Sequence, residues 1–195
     1  MSSHETVLLH EAVDGLNIKP NGVYVDATFG AGGHSKEIFE KLDSKGRLIA
    51  FDQDADVTFS QDWDDRFLLV RSNFRYMLYY MEYLGLESID GVLADLGVSS
   101  HHLDTPERGF SYRYDAPLDM RMRQTSDMTA ARIIKEYSEG QLQSVFSRYG
   151  ELRNSKTLAR RITEQRSQRS RDTTMELGEV VEPIHRGEND RYLAQ

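Results

Sequence analysis

The chain has 195 residues, a length that favours one domain with or without a small addition, and 24 basic against 32 acidic residues give it a net charge of −8. Its mean hydropathy of −0.60 is typical of a soluble globular protein. Because it lacks both an apolar run of the roughly 18 residues that a membrane span needs and a secretory signal, we expect a cytoplasmic protein without membrane contact. The absence of cysteine excludes disulfides, thiolate nucleophiles and Cys-based metal sites.

Short apolar runs alternate with helical stretches through the first hundred residues, a layout typical of a parallel sheet with helices on both faces. Strands are predicted at residues 23–28, 47–52, 67–71 and 91–96. Between them the sequence predicts helices at 34–42 and 76–84 and a short turn at 54–59. The pattern indicates an α/β fold built on a doubly wound parallel sheet.

After residue 96 the sequence predicts a loop of about thirty residues, rich in Ser, Asp, Pro, Arg and aromatics, and a loop of that length is usually functional or disordered. Helical patterns then return, with capping boxes predicted at Ser138 with Gln141 and at Thr173 with Glu176. We therefore expect three parts, which are a core at 1–100, a substrate or cofactor loop at 101–127 and a helical substrate-recognition domain at 128–195.

Residues 148–171, called the basic segment below, hold eight basic residues against two acidic ones. The segment carries a charge of +6 and the rest of the chain −14, so we expect a bound polyanion to be held locally rather than by overall attraction. A solvated helix face is the alternative that the residues leave open. The basic residues are Arg148, Arg153, Lys156, Arg160, Arg161, Arg166, Arg169 and Arg171.

The strongest local pattern is DATFGAGGH at 26–34, where a predicted strand runs into a glycine-rich turn that opens a helix. Glycine lets the backbone approach a ligand, and a helix N-terminus supplies free N–H donors. The spacing is not G-x-G-x-x-G, which disfavours a dinucleotide pyrophosphate and hence a nicotinamide oxidoreductase. Asp52, at the end of the next strand, suits the ribose hydroxyls of a ligand without phosphates, for which S-adenosylmethionine is the obvious candidate. A purely structural turn is the alternative.

Phe74 and Asp95 follow the third and fourth predicted strands. A ring at the position of Phe74 can lie against adenine, and Asp95 is expected near the topological switch point, facing a reacting methyl group. The alternative for Asp95 is a buried carboxylate that caps the next turn. We expect no metal at the adjacent His101 and His102, because neither cysteine nor a matching carboxylate pattern accompanies them.

Residues 107–115 interleave arginines with aromatic rings, a mixture suited to phosphate contact and base stacking on single-stranded RNA. Loop anchoring is the competing interpretation, and the alternating acid and base at 119–123 could form an internal salt-bridge network. The candidates for substrate contact are Arg108, Phe110, Arg113, Arg160 and Arg161.

Taken together, these motifs resemble the RsmH or MraW family of bacterial methyltransferases, which modify N4 of a cytidine in 16S ribosomal RNA. The resemblance implies a Rossmann-like class I S-adenosylmethionine-dependent methyltransferase sheet with an inserted or appended small helical domain. It is looser in the helical part, where YGE at 149–151 and the arginine-rich helix match. The matching stretches, in family order, are HETVLLHE (4–11), DATFGAGGHS (26–35), DQDA (52–55), DLGVSS (95–100), ERGFS (107–111) and LDMRM (118–122).

The same resemblance implies a role for individual residues. Gly32, Gly33 and His34 would hold the methionine part of S-adenosylmethionine. Asp52 would bind the ribose, and Phe74 would contact the adenine.

Two more residues carry implied roles around the reacting groups. Asp95 would lie beside the cofactor's amino-acid end and the incoming cytosine. It is the candidate catalytic residue, because methylation of an amine needs a group that takes the amine proton or draws electron density onto the nitrogen. Methylation at C5 of a pyrimidine usually uses a Cys nucleophile, which this chain lacks, so a nitrogen or oxygen target is favoured. His102 belongs to the implied cofactor-binding set, at a position where many relatives have Gln.

Members of this family usually continue beyond Gln195 into strands that complete a seven-stranded sheet, so the resemblance implies a truncated chain with an incomplete sheet. The apolar strand at 92–96 would then be an edge, which we expect to be covered by the helical part or by a second copy in a homodimer. The expected partner is 16S ribosomal RNA or the small ribosomal subunit, and no DNA is expected. The alternative function is a catalytically impaired fragment that only binds RNA or the ribosome.

Overall fold

The computed structural model describes residues 6–57, 63–168 and 171–182, and every structural statement below concerns these ranges. The chain divides into two compact units. The first consists of Met1–Gly97 with Met122–Gln124, and the second of Val98–Arg121 with Thr125–Gln195. Most of the segment predicted as a separate loop at 101–127 is thus part of the second unit.

The first unit contains a four-stranded parallel sheet with strand order β3-β2-β1-β4. Val25 in β1 is in register with Ile49 of β2 on one side and with Val92 of β4 on the other. The strands are β1 (Val23–Asp26), β2 (Arg47–Phe51), β3 (Phe67–Val70) and β4 (Gly91–Leu93).

All four predicted strands are confirmed, and each ends one to three residues earlier than predicted. Beyond the ends of β1 and β2 a few backbone bonds between strands continue, such as Ala27 N to Leu93 O and Asp52 N to Val70 O, but side chains at this edge take over other donors. Thr28 N, for example, donates to Asp26 Oδ1 rather than to a neighbouring strand.

Apolar residues cover both faces of the sheet, as a doubly wound fold requires. Successive residues of a strand point to opposite faces, so Tyr24 and Val25 belong to different clusters. One cluster packs against the helices α1 (Leu9–Gly15) and α2 (Gly33–Glu40), and contains Val13, Tyr24, Ile38, Leu42, Leu48 and Leu93. The other packs against α3 (Met77–Tyr83), which follows a 3-10 turn at Phe74–Tyr76, and contains Val25, Ile49, Phe51, Val70 and Met81.

The helices predicted at 34–42 and 76–84 are confirmed with small shifts at their ends. The predicted turn at 54–59 is described only to residue 57, where Ala55 and Asp56 do form a turn. Its remainder lies outside the described residues.

Strand β4 forms one edge of the sheet, because within the described ranges it pairs only with β1. Val92 is 44% exposed there. The structure thus confirms the predicted apolar edge. Its covering by the helical part or by a second copy remains a prediction.

The second unit is helical. Its core contains Leu142, Leu158, Ile162 and Val180. Both predicted capping boxes are confirmed, since Ser138 and Gln141 bond reciprocally at the start of α6, and Thr173 and Glu176 do so at the start of α8. The helices are α4 (Ser100–Asp104), α5 (Ala130–Glu136), α6 (Glu139–Arg148), α7 (Ser155–Arg166) and α8 (Thr174–Val181).

The prediction of an unstructured loop after residue 96 is wrong in part, because this stretch contains α4 and a 3-10 turn at Pro106–Arg108. Helix α4 begins with a third capping box. Ser99 Oγ accepts from His102 N at 3.3 Å, and Ser99 N donates to His102 Nδ1 at 3.1 Å. The sequence pattern does not indicate this box, because Glu or Gln usually occupies the third position of a capping box.

Candidate functional site

The loop between β1 and α2 is braced by a buried carboxylate at the end of β1. Asp26 Oδ1 accepts from Thr28 N at 3.0 Å, and Asp26 Oδ2 accepts from Ser35 Oγ at 2.6 Å. Burial raises the pKa of Asp26, and these two hydrogen bonds partly oppose that shift by stabilising the ionised form. One side chain therefore ties both ends of the glycine-rich loop together.

Glycines are required in this loop for conformation and for space. Gly30 and Gly32 have positive φ angles of 54° and 80°, the left-handed region that L side chains rarely adopt. A Cβ atom on Gly32 would meet the ring of Phe29, and one on Gly33 would clash with Thr6 Oγ1. Thr6, which lies in the HETVLLHE motif, is therefore part of the loop's packing, a role that the local sequence pattern did not predict.

Asp52 is held in place by two backbone donors at the end of β2. Gly30 N donates to Asp52 Oδ2 at 2.8 Å, and Asp54 N donates to Asp52 Oδ1 at 2.9 Å. Each carboxylate oxygen has two lone pairs, so each can accept one further hydrogen bond. Asp52 is half-buried rather than enclosed, and its carboxylate is thus suited to a ligand with two neighbouring hydroxyl groups.

His34 provides a buried polar atom whose hydrogen-bonding capacity is unused. The residue lies in the first turn of α2, and its Nε2 has no hydrogen-bond partner among the described residues. A buried polar atom without a partner costs stability, so a bound polar group that reaches Nε2 would be stabilised there. The residues around the loop therefore fit a polar ligand.

Phe74 and Asp95 lie at the same edge of the sheet. Asn73 Nδ2 donates to Gln53 Oε1 at 2.8 Å and so links the segments that follow β2 and β3. Phe74 is the first residue of the 3-10 turn after β3, and it is 39% exposed. Asp95 N donates to Thr28 Oγ1 at 2.8 Å, and the side chain of Asp95 is exposed. The alternative of a buried, turn-capping Asp95 is therefore wrong.

The structure brings six of the seven predicted cofactor residues to the carboxyl edge of one sheet in the first unit. Ligands of open α/β sheets bind at this edge, near the point where the strand order reverses, which here lies between β1 and β4. His102, the seventh, lies in the second unit, where its ring centroid is 5.1 Å from that of Phe110. The six are Gly32, Gly33, His34, Asp52, Phe74 and Asp95.

The described ranges contain no group of three or more His, Asp or Glu side chains arranged to hold a metal ion. Every helix in them is too short or too polar to span a lipid bilayer.

The loop at 107–123 contains an internal hydrogen-bonded salt bridge, as the second of its two interpretations expected. Arg121 Nη2 and Nε donate to both carboxylate oxygens of Asp119 at 2.6 and 2.8 Å, and Arg121 Nη1 donates to Ser126 O at 2.6 Å. The guanidinium of Arg121 holds the pKa of Asp119 below its usual range. Arg108 is buried and donates to Arg121 O at 3.0 Å, whereas Arg113 is exposed.

The two substrate candidates on α7 have different environments. Arg160 is exposed and lies 3.7 Å from Glu164, a pair too open to contribute much stability. Arg161 is half-buried, and its Nε is enclosed without a hydrogen-bond partner among the described residues. Arg169 of the basic segment lies outside the described residues.

Comparison with known proteins gives a consistent match over nearly the whole chain. A family model described as the MraW methylase family matches residues 1–191. The chain is 54% identical over 181 residues to "Ribosomal RNA small subunit methyltransferase H" of Flavobacterium johnsoniae, an alignment that covers 93% of this chain and 60% of that protein. Proteins of the same name are 52% identical in Cytophaga hutchinsonii (98% of this chain, 65% of the relative) and 50% identical in Phocaeicola vulgatus (96% and 62%). The chain thus spans between 60 and 65% of the length of these relatives.

Proposed function

Because the chain belongs to the MraW methylase family, we propose that it binds S-adenosylmethionine and methylates small-subunit ribosomal RNA at the exocyclic N4 of a cytidine. The observation that carries the proposal is the carboxyl edge of the sheet, where a glycine-rich loop, a fixed carboxylate and an exposed carboxylate come together. The names of the relatives support ribosomal RNA as the substrate. The N4 target comes from the motif resemblance, and such a substrate implies a cytoplasmic protein.

The residues at this edge match the groups of the proposed cofactor. Asp52 has the free lone pairs for the two ribose hydroxyls, and the exposed ring of Phe74 offers a face for the adenine. His34 Nε2 and the backbone at Gly32 and Gly33 are assigned to the methionine part. When bound, S-adenosylmethionine supplies an electrophilic methyl group on a sulfonium, and no covalent enzyme intermediate is needed.

Asp95 is the proposed catalytic residue. Its exposed carboxylate can accept a hydrogen bond from the exocyclic amine and take the amine proton on a carboxylate oxygen. The backbone of Asp95 is fixed by its hydrogen bond to Thr28, which limits the positions that the carboxylate samples. Asp95 therefore orients the amine and receives its proton.

The second unit supplies the proposed contacts with RNA. Arg113 and Arg160 are exposed and can reach phosphates, and Phe110 offers part of a ring for stacking. Arg108 and Arg161 are more enclosed, so in this proposal they position the loop and α7 as well as adding positive charge. His102 remains a proposed cofactor contact.

The first experiment is a calorimetric titration of the 195-residue chain with S-adenosylmethionine, with a nicotinamide dinucleotide as the control ligand. We expect binding of the sulfonium cofactor alone. The absence of any binding would contradict the proposal, and binding of the dinucleotide would point to an oxidoreductase.

The second experiment measures transfer of a tritiated methyl group to small ribosomal subunits that lack the modification. We expect Asp95→Ala to abolish transfer while leaving most of the affinity for S-adenosylmethionine, and Asp65→Ala, which removes another exposed carboxylate, to change neither. Equal transfer by Asp95→Ala would remove Asp95 from the mechanism. Cofactor binding without transfer in the unmodified chain would favour the alternative of a fragment that only binds RNA or the ribosome.

A further inference from the structure

The structure sorts six of the eight cations of the basic segment into two groups, and the first group serves the fold. Arg166 Nη1 donates to Ile134 O at 2.7 Å and to Tyr137 O at 2.6 Å, so it satisfies carbonyls at the end of α5. Arg171 Nη2 donates to Gln165 Oε1 at 3.0 Å and links the segment before α8 to α7. These guanidinium groups are engaged within the helical unit and are poorly placed for a polyanion.

The second group is exposed and gathers where α6 turns into α7. Arg148 is the last residue of α6, and Arg153 lies in the turn. Lys156 and Arg160 follow in α7 at a spacing of four residues, which places them on the same helix face. All four side chains are exposed, in a chain whose charge outside the basic segment is −14.

The same turn presents an aromatic ring to solvent. Tyr149 is 78% exposed, although a tyrosine ring gains free energy when it is buried. Glu151 has a φ of 52°, in the left-handed region, where a residue other than glycine is strained. The turn is closed by a backbone hydrogen bond in which Leu152 N donates to Phe146 O at 3.1 Å. A strained, hydrogen-bonded turn with an exposed ring is more typical of a binding surface than of a simple connection.

We propose that the α6–α7 turn is a docking surface for single-stranded RNA, with one base stacked on Tyr149 and the adjacent phosphates facing the four cations. The choice of RNA rests on the proposed function, and the inference goes beyond it by assigning this contact to a defined part of the second unit. The surface consists of Arg148, Tyr149, Arg153, Lys156 and Arg160.

The mixture of groups favours RNA over an acidic protein. Single-stranded RNA alternates flat bases with phosphates, and proteins bind it by combining aromatic rings with cations along the backbone. An acidic peptide would use the cations and leave the ring of Tyr149 without a partner. Tyr149 therefore distinguishes the two occupants.

The test measures fluorescence anisotropy of a short fluorescein-labelled single-stranded oligoribonucleotide that is titrated with the chain. Lys156→Glu should weaken binding about 5-fold near 0.1 M salt and lower the slope of log K against log salt by about 0.7, the value for one phosphate contact with a single strand. Lys135→Glu, the same charge change at an exposed position of α5 in the same unit, should leave both quantities nearly unchanged.

A second pair of variants tests stacking. Tyr149→Ala should weaken binding about 5- to 150-fold, the range for loss of one stacked base, and Tyr149→Phe should restore it because the ring is kept. Far-ultraviolet circular dichroism and thermal unfolding of each variant test whether the helical unit is intact.

Several results would overturn the inference. They are equal effects of Lys156→Glu and Lys135→Glu, full binding by Tyr149→Ala, or binding of polyglutamate or phosphatidylserine vesicles as tight as that of the oligoribonucleotide. Calorimetric titration of the same variants with S-adenosylmethionine separates the two proposals. A chain that binds the cofactor and methylates small subunits but does not bind the oligoribonucleotide contradicts only this surface. One that binds the oligoribonucleotide through Tyr149 but no cofactor contradicts only the proposed enzyme.

Discussion

The backbone N–H of Asp95 donates to the hydroxyl of Thr28 at 2.8 Å, joining the segments that follow β4 and β1. Thr28 N in turn donates to the buried carboxylate of Asp26. The three residues thus connect the interior of the first unit to the exposed side chain of Asp95. Because the link to Asp95 depends on the hydroxyl of Thr28 alone, replacing Thr28 with the equally large valine removes the link and keeps the shape of the side chain.

Thr28→Val should lower methyl transfer while leaving the affinity for S-adenosylmethionine nearly unchanged. The variant keeps the shape of the side chain and loses the acceptor for Asp95 N, and a hydrogen bond of this kind contributes about 0.5–1.5 kcal/mol, or a 2- to 10-fold fall in turnover. Thr28→Ser keeps the hydroxyl and should restore the rate. Steady-state kinetics with calorimetry measure both quantities, and equal rates for the Val and Ser variants would contradict this role.

Asp52→Asn should weaken the binding of S-adenosylmethionine about 10- to 150-fold, because hydrogen bonds to a charged group contribute about 1.5–3 kcal/mol. The amide nitrogen of the variant would also face a backbone donor, either Gly30 N or Asp54 N. Asp65→Asn makes the same charge change at an exposed surface position and serves as the control. Calorimetric dissociation constants decide the matter, and similar values for the two variants would argue against a ribose contact at Asp52.

Asp26→Asn should remove a pH-dependent loss of stability. Burial raises the pKa of Asp26 in the folded state, so its contribution to stability is complete below about pH 3.9 and is lost as the pH rises through the folded-state pKa. The amide can still accept from Thr28 N and donate to Ser35 Oγ. The free energy of unfolding of the variant, minus that of the unmodified chain, should therefore increase with pH above about 4. Urea denaturation at a series of pH values measures this difference, and a flat or falling difference would be the opposite result.

Arg166→Ala should destabilise the helical unit by about 1.5–3 kcal/mol, because it leaves two carbonyls at the end of α5 without their charged donor. Arg160→Ala is the matched control on the same helix. Its side chain is exposed and its pair with Glu164 is 3.7 Å long, so we expect a change below about 0.5 kcal/mol. Urea denaturation of both variants compares the two positions, and equal destabilisation would show that Arg166 does not hold α5.

Most of the sheet and its carboxyl edge could be predicted because their signals are local. The apolar runs that form β1 to β4 alternate with helical patterns, and the glycines after β1 have a conformation that few other residues adopt. The boxes at Ser138 and Thr173 likewise depend on residues three positions apart. The capping box at Ser99 escaped prediction because an imidazole takes the place of the usual carboxylate or amide.

The sequence by itself determined the four parallel strands, the glycine-rich turn, the family and the residues placed at the carboxyl edge, because each follows from neighbours along the chain. Only the tertiary structure decided which arginines belong to the fold and which face solvent. Arg160 and Arg166 are alike in a helical sequence pattern, and what separates them is the pair of α5 carbonyls that only Arg166 reaches. Burial and hydrogen-bond partners come from distant parts of the chain, so the roles of Arg166, Thr28 and Thr6 appear only when those parts are brought together.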